Sequence, residues 1–216
     1  MTITLTAFRW VPPFAQGYVR DLRIRWALEE AGRPYEVTLI DPGIQASKGY
    51  RQWQPFGQVP AYRDDKVEMF ESGAIVLHIA EQSEALAPRE PAGRARVTTW
   101  VLAALNSIEP HAQNLVNLDT FHAGEAWIEE RRPQAQAMID SRLASLAEWL
   151  GDKDYLEGRF TAGDILMTTV LRELVDCGTL GRFPTLDAYR RRNEARPAFA
   201  RAMEGQMSTF RENAPA

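Results

Sequence analysis

Over roughly the first 80 residues the hydrophobic positions change period several times, and beyond them the spacing is helical almost throughout. Ile3, Leu5 and Ala7 alternate with Thr2, Thr4 and Thr6, the two-residue period of a β-branched strand. After Pro12-Pro13, the apolar Val19, Leu22, Ile24, Trp26, Leu28 and Ala31 are spread among Asp21, Arg25 and Glu29 at i, i+4 spacing. This predicts a helix over 18–31, closed by Gly32 and Pro34. Residues 35–40 alternate again, so strand, helix and strand follow in order and imply a parallel pair. Apolar runs at 59–62 and 67–70 flank Arg63-Asp64-Asp65-Lys66, the pattern of an antiparallel hairpin, and 72–81 reads as a mostly apolar helix. Further helices are predicted over 92–118, 133–150, 162–176 and 185–192, with a last one after Pro197. Residues 82–91 carry two prolines and little periodicity, as a linker does. The predicted architecture is an α/β domain over 1–81, βαβ then ββα around a mixed four-stranded sheet, joined to an all-helical domain over 92–216.

Composition narrows the function classes. With 45% hydrophobic and 25% charged residues and a net charge of −4, the chain is an ordinary globular protein with no electrostatic reason to bind nucleic acid or an anionic membrane. No window approaches the ~18 apolar residues a membrane helix needs. The start lacks a basic region followed by an apolar core, and a cytoplasmic protein is expected. Cys177, the single cysteine, cannot form an internal disulfide, and with His78, His111 and His122 it makes no zinc-type spacing. No metal site is expected, and Cys177 is read as a small core residue near the end of a buried helix.

Two fragments suggest chemistry. A proline cannot donate to a sheet ladder, so Pro60 belongs at a strand start, edge or bend, and the main chain of Val59 is left to pair with something else. Glu71 and Ser72 open the 72–81 helix and offer an anion-binding terminus beside a carboxylate that can hold a cation. Together they suit the zwitterionic head of a small peptide. A third motif is structural: Thr161-Ala162-Gly163-Asp164 matches a capping box with Asp in place of Glu, with Phe160 and Ile165 at the positions of a hydrophobic staple.

Taken in order, these elements and motifs resemble the glutathione S-transferase family over nearly the whole chain. Leu28-Glu29-Glu30-Ala31-Gly32 and Arg196-Pro197-Ala198-Phe199 are similar to its bacterial, cytosolic members. The resemblance implies a thioredoxin-like first domain, glutathione as co-substrate, a small hydrophobic electrophile as second substrate, and a homodimer. It implies that Pro60 follows a cis bond and that the N–H and C=O of Val59 pair with the cysteinyl unit of glutathione. Ser72 would receive the γ-glutamyl carboxylate, Glu71 the neighbouring amino group, and Gln58 would reach the peptide from the same edge. The glycyl carboxylate would meet Lys48 or Arg51.

One departure from the family bears on catalysis. The family activates the glutathione sulfur with a Ser, Tyr or Cys at the end of the first strand or the start of the first helix. From Ala7 to Ala31 this chain has no Ser, Thr or Cys, and its only hydroxyl is Tyr18. Tyr18 is therefore the first candidate donor, followed by the Arg20 charge and the N–H groups of residues 16–19. The Ser-Ser-Cys cluster of zeta-like isomerases is replaced by Tyr18-Val19-Arg20, and a dithiol oxidoreductase is excluded for want of a CxxC. The leading expectation is a transferase that conjugates the glutathione thiolate to a small electrophile. The alternatives are a glutathione-dependent disulfide or peroxide reductase and a non-catalytic binding or scaffold protein of the same fold.

Overall fold

The computed structural model describes residues 2–215; residues 1 and 216, the outer ends of the two expected domains, lie outside it. Strands β1 (Ile3–Phe8) and β2 (Tyr35–Ile40) pair in parallel from Ile3 opposite Tyr35 to Phe8 opposite Ile40. Strands β3 (Ala61–Arg63) and β4 (Glu68–Phe70) form an antiparallel hairpin, and β3 runs antiparallel to β1, so the sheet order is β2-β1-β3-β4. This is the expected mixed four-stranded α/β sheet. The hairpin turn is held by Asp64, whose Oδ1 accepts the N–H groups of Lys66 and Val67 at 2.8 and 3.0 Å. Its Oδ2 accepts from the Tyr62 hydroxyl at 3.0 Å and lies 2.7 Å from His78 Nε2.

Alternation along β1 does not separate a wet face from a dry one. Ile3, Leu5 and Ala7 are buried as the pattern predicts, but Thr6 is buried as well. Its hydroxyl lies against Tyr50 of a helix that the periodicity did not reveal. Two such short helices follow β2: α2 (Pro42–Ala46) and α3 (Lys48–Trp53). Each starts on a side-chain cap, Asp41 Oδ1 accepting from Ile44 N at 2.9 Å and Ser47 Oγ from Tyr50 N at 3.2 Å. Helix α1 spans Asp21–Glu30, three residues shorter at its start than expected, because residues 16–20 are spent on a turn that includes Gly17 at φ 82°. Helix α4 spans Ser72–Glu81 as expected.

By contacts the chain divides into two units, residues up to Pro88 together with those from Arg196 onward, and Arg89–Ala195. Helix α10 (Pro197–Glu212) thus groups with the sheet, whereas periodicity alone counts it with the other helices. The reason is its antiparallel docking on α1. Arg196 forks onto Glu30 at 2.6 and 2.8 Å, Phe199 meets Trp26 edge-on with centroids 4.8 Å apart, Arg201 pairs with Glu29 and Gln206 reaches Asp21.

The second unit is all-helical. Helix α5 (Pro91–Leu102) passes through a π-helical stretch, Ala103–Ile108, into α6 (Glu109–Phe121). Pro110 explains the break, since it has no N–H for the carbonyl one turn back. Helix α7 (Ile128–Leu150) begins five residues before the predicted start at Pro133, which it carries inside its second turn. Helix α8 (Ala162–Arg172) is buried along most of its length and starts on the predicted capping box, Asp164 Oδ2 accepting from Thr161 N at 2.8 Å. Asp164 Oδ1 accepts from Leu156 N and from the Tyr189 hydroxyl at 3.0 and 2.7 Å. Tyr189 lies on α9 (Pro184–Glu194). A Cβ at Gly163 would lie 2.6 Å from Trp100 Cβ, so close approach of α5 and α8 requires glycine there. Cys177 lies beyond the end of α8, half-buried, with Sγ 3.3 Å from Thr179 Oγ1.

Candidate functional site

The Val59–Pro60 bond is cis, and the loop carrying it is held from both sides by one chain of hydrogen bonds. Tyr50, like any phenol, is protonated at neutral pH, and burial pushes its phenol further up against a smaller opposing pull from Thr6. Its hydroxyl donates to Gln58 O at 2.6 Å. It therefore accepts from the Thr6 hydroxyl, 3.0 Å away, and Thr6 Oγ1 in turn accepts from Ala61 N at 2.7 Å. The donors run in one direction, Ala61 to Thr6 to Tyr50 to Gln58, and tie together the residues on either side of Val59-Pro60. Gln54 adds a second hold, accepting Gln58 N–H at 3.2 Å, and Gly57 turns the loop at φ 64°.

This arrangement separates the two parts of Val59. Its side chain is buried with Ile40 and Tyr50, while among the described residues no protein group pairs with its N–H or C=O. An unpaired donor and acceptor on one residue can receive an extended peptide as an added strand. Gln58 is exposed beside it, with its side-chain amide making no protein hydrogen bond among the described residues.

Ser72 is the first residue of α4 and is almost fully buried. Its Oγ accepts from Arg23 Nη1 at 3.2 Å, which leaves the hydroxyl proton and the helix-terminal N–H groups to donate outward. Arg23, itself buried, adds a positive charge behind the hydroxyl. Glu71 stands at φ 70°, a left-handed conformation uncommon for a residue with a side chain and found where local structure demands it. Its carboxylate is exposed, and no cation pairs with it among the described residues. An anion-accepting helix terminus and an unpaired carboxylate therefore sit on adjacent residues, which suits a group bearing both charges.

The other sequence candidates fall on flanking elements. Lys48 is exposed at the first position of α3, and no acid pairs with it among the described residues. Arg51 turns back on its own loop, Nη1 reaching Pro55 O at 3.4 Å. Tyr18 and Arg20 are half-buried in the turn before α1, and the Tyr18 N–H donates to Ala15 O at 3.1 Å. Gln16 N–H also bonds within the turn, to Pro13 O, so two of the four backbone donors expected there are occupied by the turn itself. Val19 packs against the Ile40, Tyr50 and Val59 cluster and so brings the turn against the peptide edge.

Sequence reasoning missed Thr6, Tyr50 and Arg23. Strand alternation put Thr6 on an outward face, and nothing in the pattern pairs it with Tyr50, 44 positions on. Arg23 did carry a signal. It lies between Leu22 and Ile24, with no acid at i±3 or i±4, so its charge had to find a partner outside the helix. Among the described residues no cluster of three or more His, Cys, Asp or Glu is placed to hold a metal ion, and no helix is long and apolar enough to cross a membrane.

Known proteins share this fold. Residues 14–81 match the family model described as glutathione S-transferase, N-terminal domain. Glutathione S-transferase APIC of Nicotiana tabacum is 27% identical over 208 residues, covering 85% of this chain and 92% of the relative. A glutathione S-transferase of Hyoscyamus muticus is also 27% identical over 207 residues, with the same coverage of each chain. Among solved structures, a glutathione transferase family member of Pseudomonas fluorescens with two glutathione bound superposes with TM-score 0.82 at 24% identity, covering 94% of this chain and 92% of the other. A glutathione transferase of Pseudomonas putida with one glutathione disulfide bound per subunit gives TM-score 0.82 at 20% identity, covering 94% and 91%. Domain match, relatives and fold point the same way: residues 14–81 match a glutathione S-transferase N-terminal domain, and the chain is similar over 85% of its length to glutathione S-transferases.

Proposed function

We propose that this protein is a glutathione transferase that adds the glutathione thiolate to a small hydrophobic electrophile. The observation that carries the reading is the cis-proline edge, with the unpaired N–H and C=O of Val59 beside the Ser72 terminus and the Glu71 carboxylate. The cysteinyl unit of glutathione pairs with Val59, Ser72 takes the γ-glutamyl carboxylate with Arg23 behind it, and Glu71 takes the amino group. Gln58 contacts the peptide from the same edge. Lys48 serves the glycyl carboxylate, in preference to Arg51, which is engaged with Pro55. A free thiol of pKa ~8.5 is a few per cent ionised at neutral pH, so a donor at sulfur is needed. Tyr18 supplies it, with Arg20 adding charge from the same turn.

A second reaction, reduction of a disulfide by two glutathiones with release of glutathione disulfide, is favoured by the Pseudomonas relatives that hold two glutathiones or glutathione disulfide. It too begins with attack by a thiolate, but a disulfide is cleaved readily by the small ionised fraction of a thiol, so it tolerates a donor-poor site better than conjugation does. The reading further takes the protein to be a bacterial-type, cytoplasmic homodimer, with residues 1–81 as the glutathione-holding domain and 92–216 as the helical one. Phe56, 64% exposed and edge-on to Phe70, supports an apolar subunit contact.

Calorimetric titration with glutathione tests the proposal, and no heat of binding at millimolar peptide would sink both reactions. Activity on a chloronitrobenzene against activity on a mixed disulfide then divides conjugation from reduction. Tyr18→Phe is expected to raise the bound thiol's pKa and slow conjugation about tenfold, the loss of one donor worth ~1.4 kcal/mol. An unchanged thiolate titration in that variant would move the role to Arg20 or to the backbone.

A further inference from the structure

The turn expected to face sulfur is pinned by one side chain from a distant part of the sequence. Gln206, on α10, is fully buried, and its Nε2 donates both to Val19 O at 3.1 Å and to Asp21 Oδ1 at 2.6 Å. The amide orientation follows from chemistry, since both partners are acceptors and a flipped amide would set oxygen against oxygen. Both amide hydrogens are thereby committed to the turn.

Each of those acceptors has a second anchor. Val19 O also accepts Leu22 N at 3.0 Å, closing the turn into α1, and the Val19 side chain packs on the Val59 cluster. Asp21 Oδ2 accepts Arg25 Nε at 2.7 Å in a buried pair. Gln206 thus joins the carbonyl of the turn, the first residue of α1 and the C-terminal helix. The peptide edge has separate supports, Thr6 and Tyr50 for the Val59 loop and Arg23 for Ser72.

We propose that Gln206 is a positioning residue for sulfur activation: from α10 it fixes the Tyr18-Val19-Arg20 turn against the glutathione edge without touching glutathione itself. The inference rests on the transferase reading above for its catalytic consequence, but the pinning of the turn is testable alone. Because Gln206 makes none of the hydrogen bonds that hold the Val59 loop and Ser72, the residue governs turnover and thiol ionisation and leaves peptide affinity nearly unchanged.

The experiment compares Gln206→Met, which keeps the volume and removes both donors, with Arg201→Ala, which breaks the exposed α10 to α1 ion pair with Glu29 and leaves the turn alone. Amide hydrogen exchange in the protein without glutathione is read at Tyr18, Leu22 and Arg23. Exchange there is expected to speed up about tenfold in Gln206→Met and to stay at the wild-type rate in Arg201→Ala. Equal rates in the two variants overturn the inference. With glutathione present, Gln206→Met is expected to raise the titration midpoint of the bound thiol and lower kcat about tenfold, with KM for glutathione within about twofold. A rise in KM at constant kcat also overturns it. Should the wild-type protein bind no glutathione, the transferase reading fails while the exchange rates still decide the role of Gln206 in the turn.

Discussion

Replacing Tyr50 by Phe removes one oxygen from the hydrogen-bond chain that holds the Val59 loop, and the cost can be worked out link by link. Two bonds vanish, the 2.6 Å donation to Gln58 O and the 3.0 Å contact with Thr6. A neutral buried bond contributes ~1 kcal/mol net, so the loss is about 2 kcal/mol. The Thr6 hydroxyl recovers little by turning to Ala61 O, which is 3.4 Å away. Thr6→Val also removes two bonds and in addition leaves the buried Ala61 N–H without an acceptor, for a total of about 3 kcal/mol. The Thr6 to Tyr50 bond is counted in both variants, so the double variant should cost about 4 kcal/mol, roughly 1 kcal/mol less than the sum of the singles. Urea denaturation of the four proteins at neutral pH measures the cycle. Additivity within ~0.3 kcal/mol would refute the shared bond, and a Tyr50→Phe variant as stable as wild type would refute the chain as a support of the loop.

Three more outcomes are expected. Gly163→Ala should destabilise the helical unit by about 1–3 kcal/mol, since the new methyl would fall 2.6 Å from Trp100 Cβ; a thermal melt matching wild type would show that α5 and α8 can part at no cost. On the proposed reading Ser72→Ala should weaken glutathione binding about tenfold in calorimetry and lower urea stability by about 1–2 kcal/mol, because buried Arg23 loses an acceptor; an unchanged affinity would refute the proposed role of Ser72. Burial works against the ionised form of Asp64, but hydrogen bonds from His78, the Lys66 and Val67 N–H groups and Tyr62 outweigh it and hold the carboxyl well below its usual range. A depressed folded-state pKa contributes stability that is present above the unfolded value near ~3.9 and is lost as pH falls below it. Asp64→Asn should therefore be less stable than wild type at pH 7, with the gap closing below about pH 4; a gap that stays constant into acid would refute the assignment.

Local signals were legible wherever a short stretch of chain decides its own structure. The box from Thr161 to Asp164 and the Asp64 turn both depend on side chains that bond to backbone within three positions. The short helices α2 and α3 had the same kind of signal in Asp41 and Ser47, but five or six residues carry too little periodicity to announce a helix. What the pattern could not express were pairings between remote residues. Thr6 looks outward by alternation and is buried by Tyr50, and Arg23 looks like a surface charge and serves Ser72, 49 positions away. The late start of α1 has in part the same origin, because the turn before it, besides its own backbone bonds, meets Gln206 from α10.

The docking of α10 on α1 also orders events during synthesis. Trp26 is fully buried, and Phe199 covers part of it, while Glu30 and Asp21 take their partners from Arg196 and Gln206. Domains commonly fold in turn as a nascent chain emerges. Here the sheet-bearing unit cannot close its core until residues 196–212 have left the ribosome, so it finishes folding after residues 89–195 are complete, although its strands are made before them.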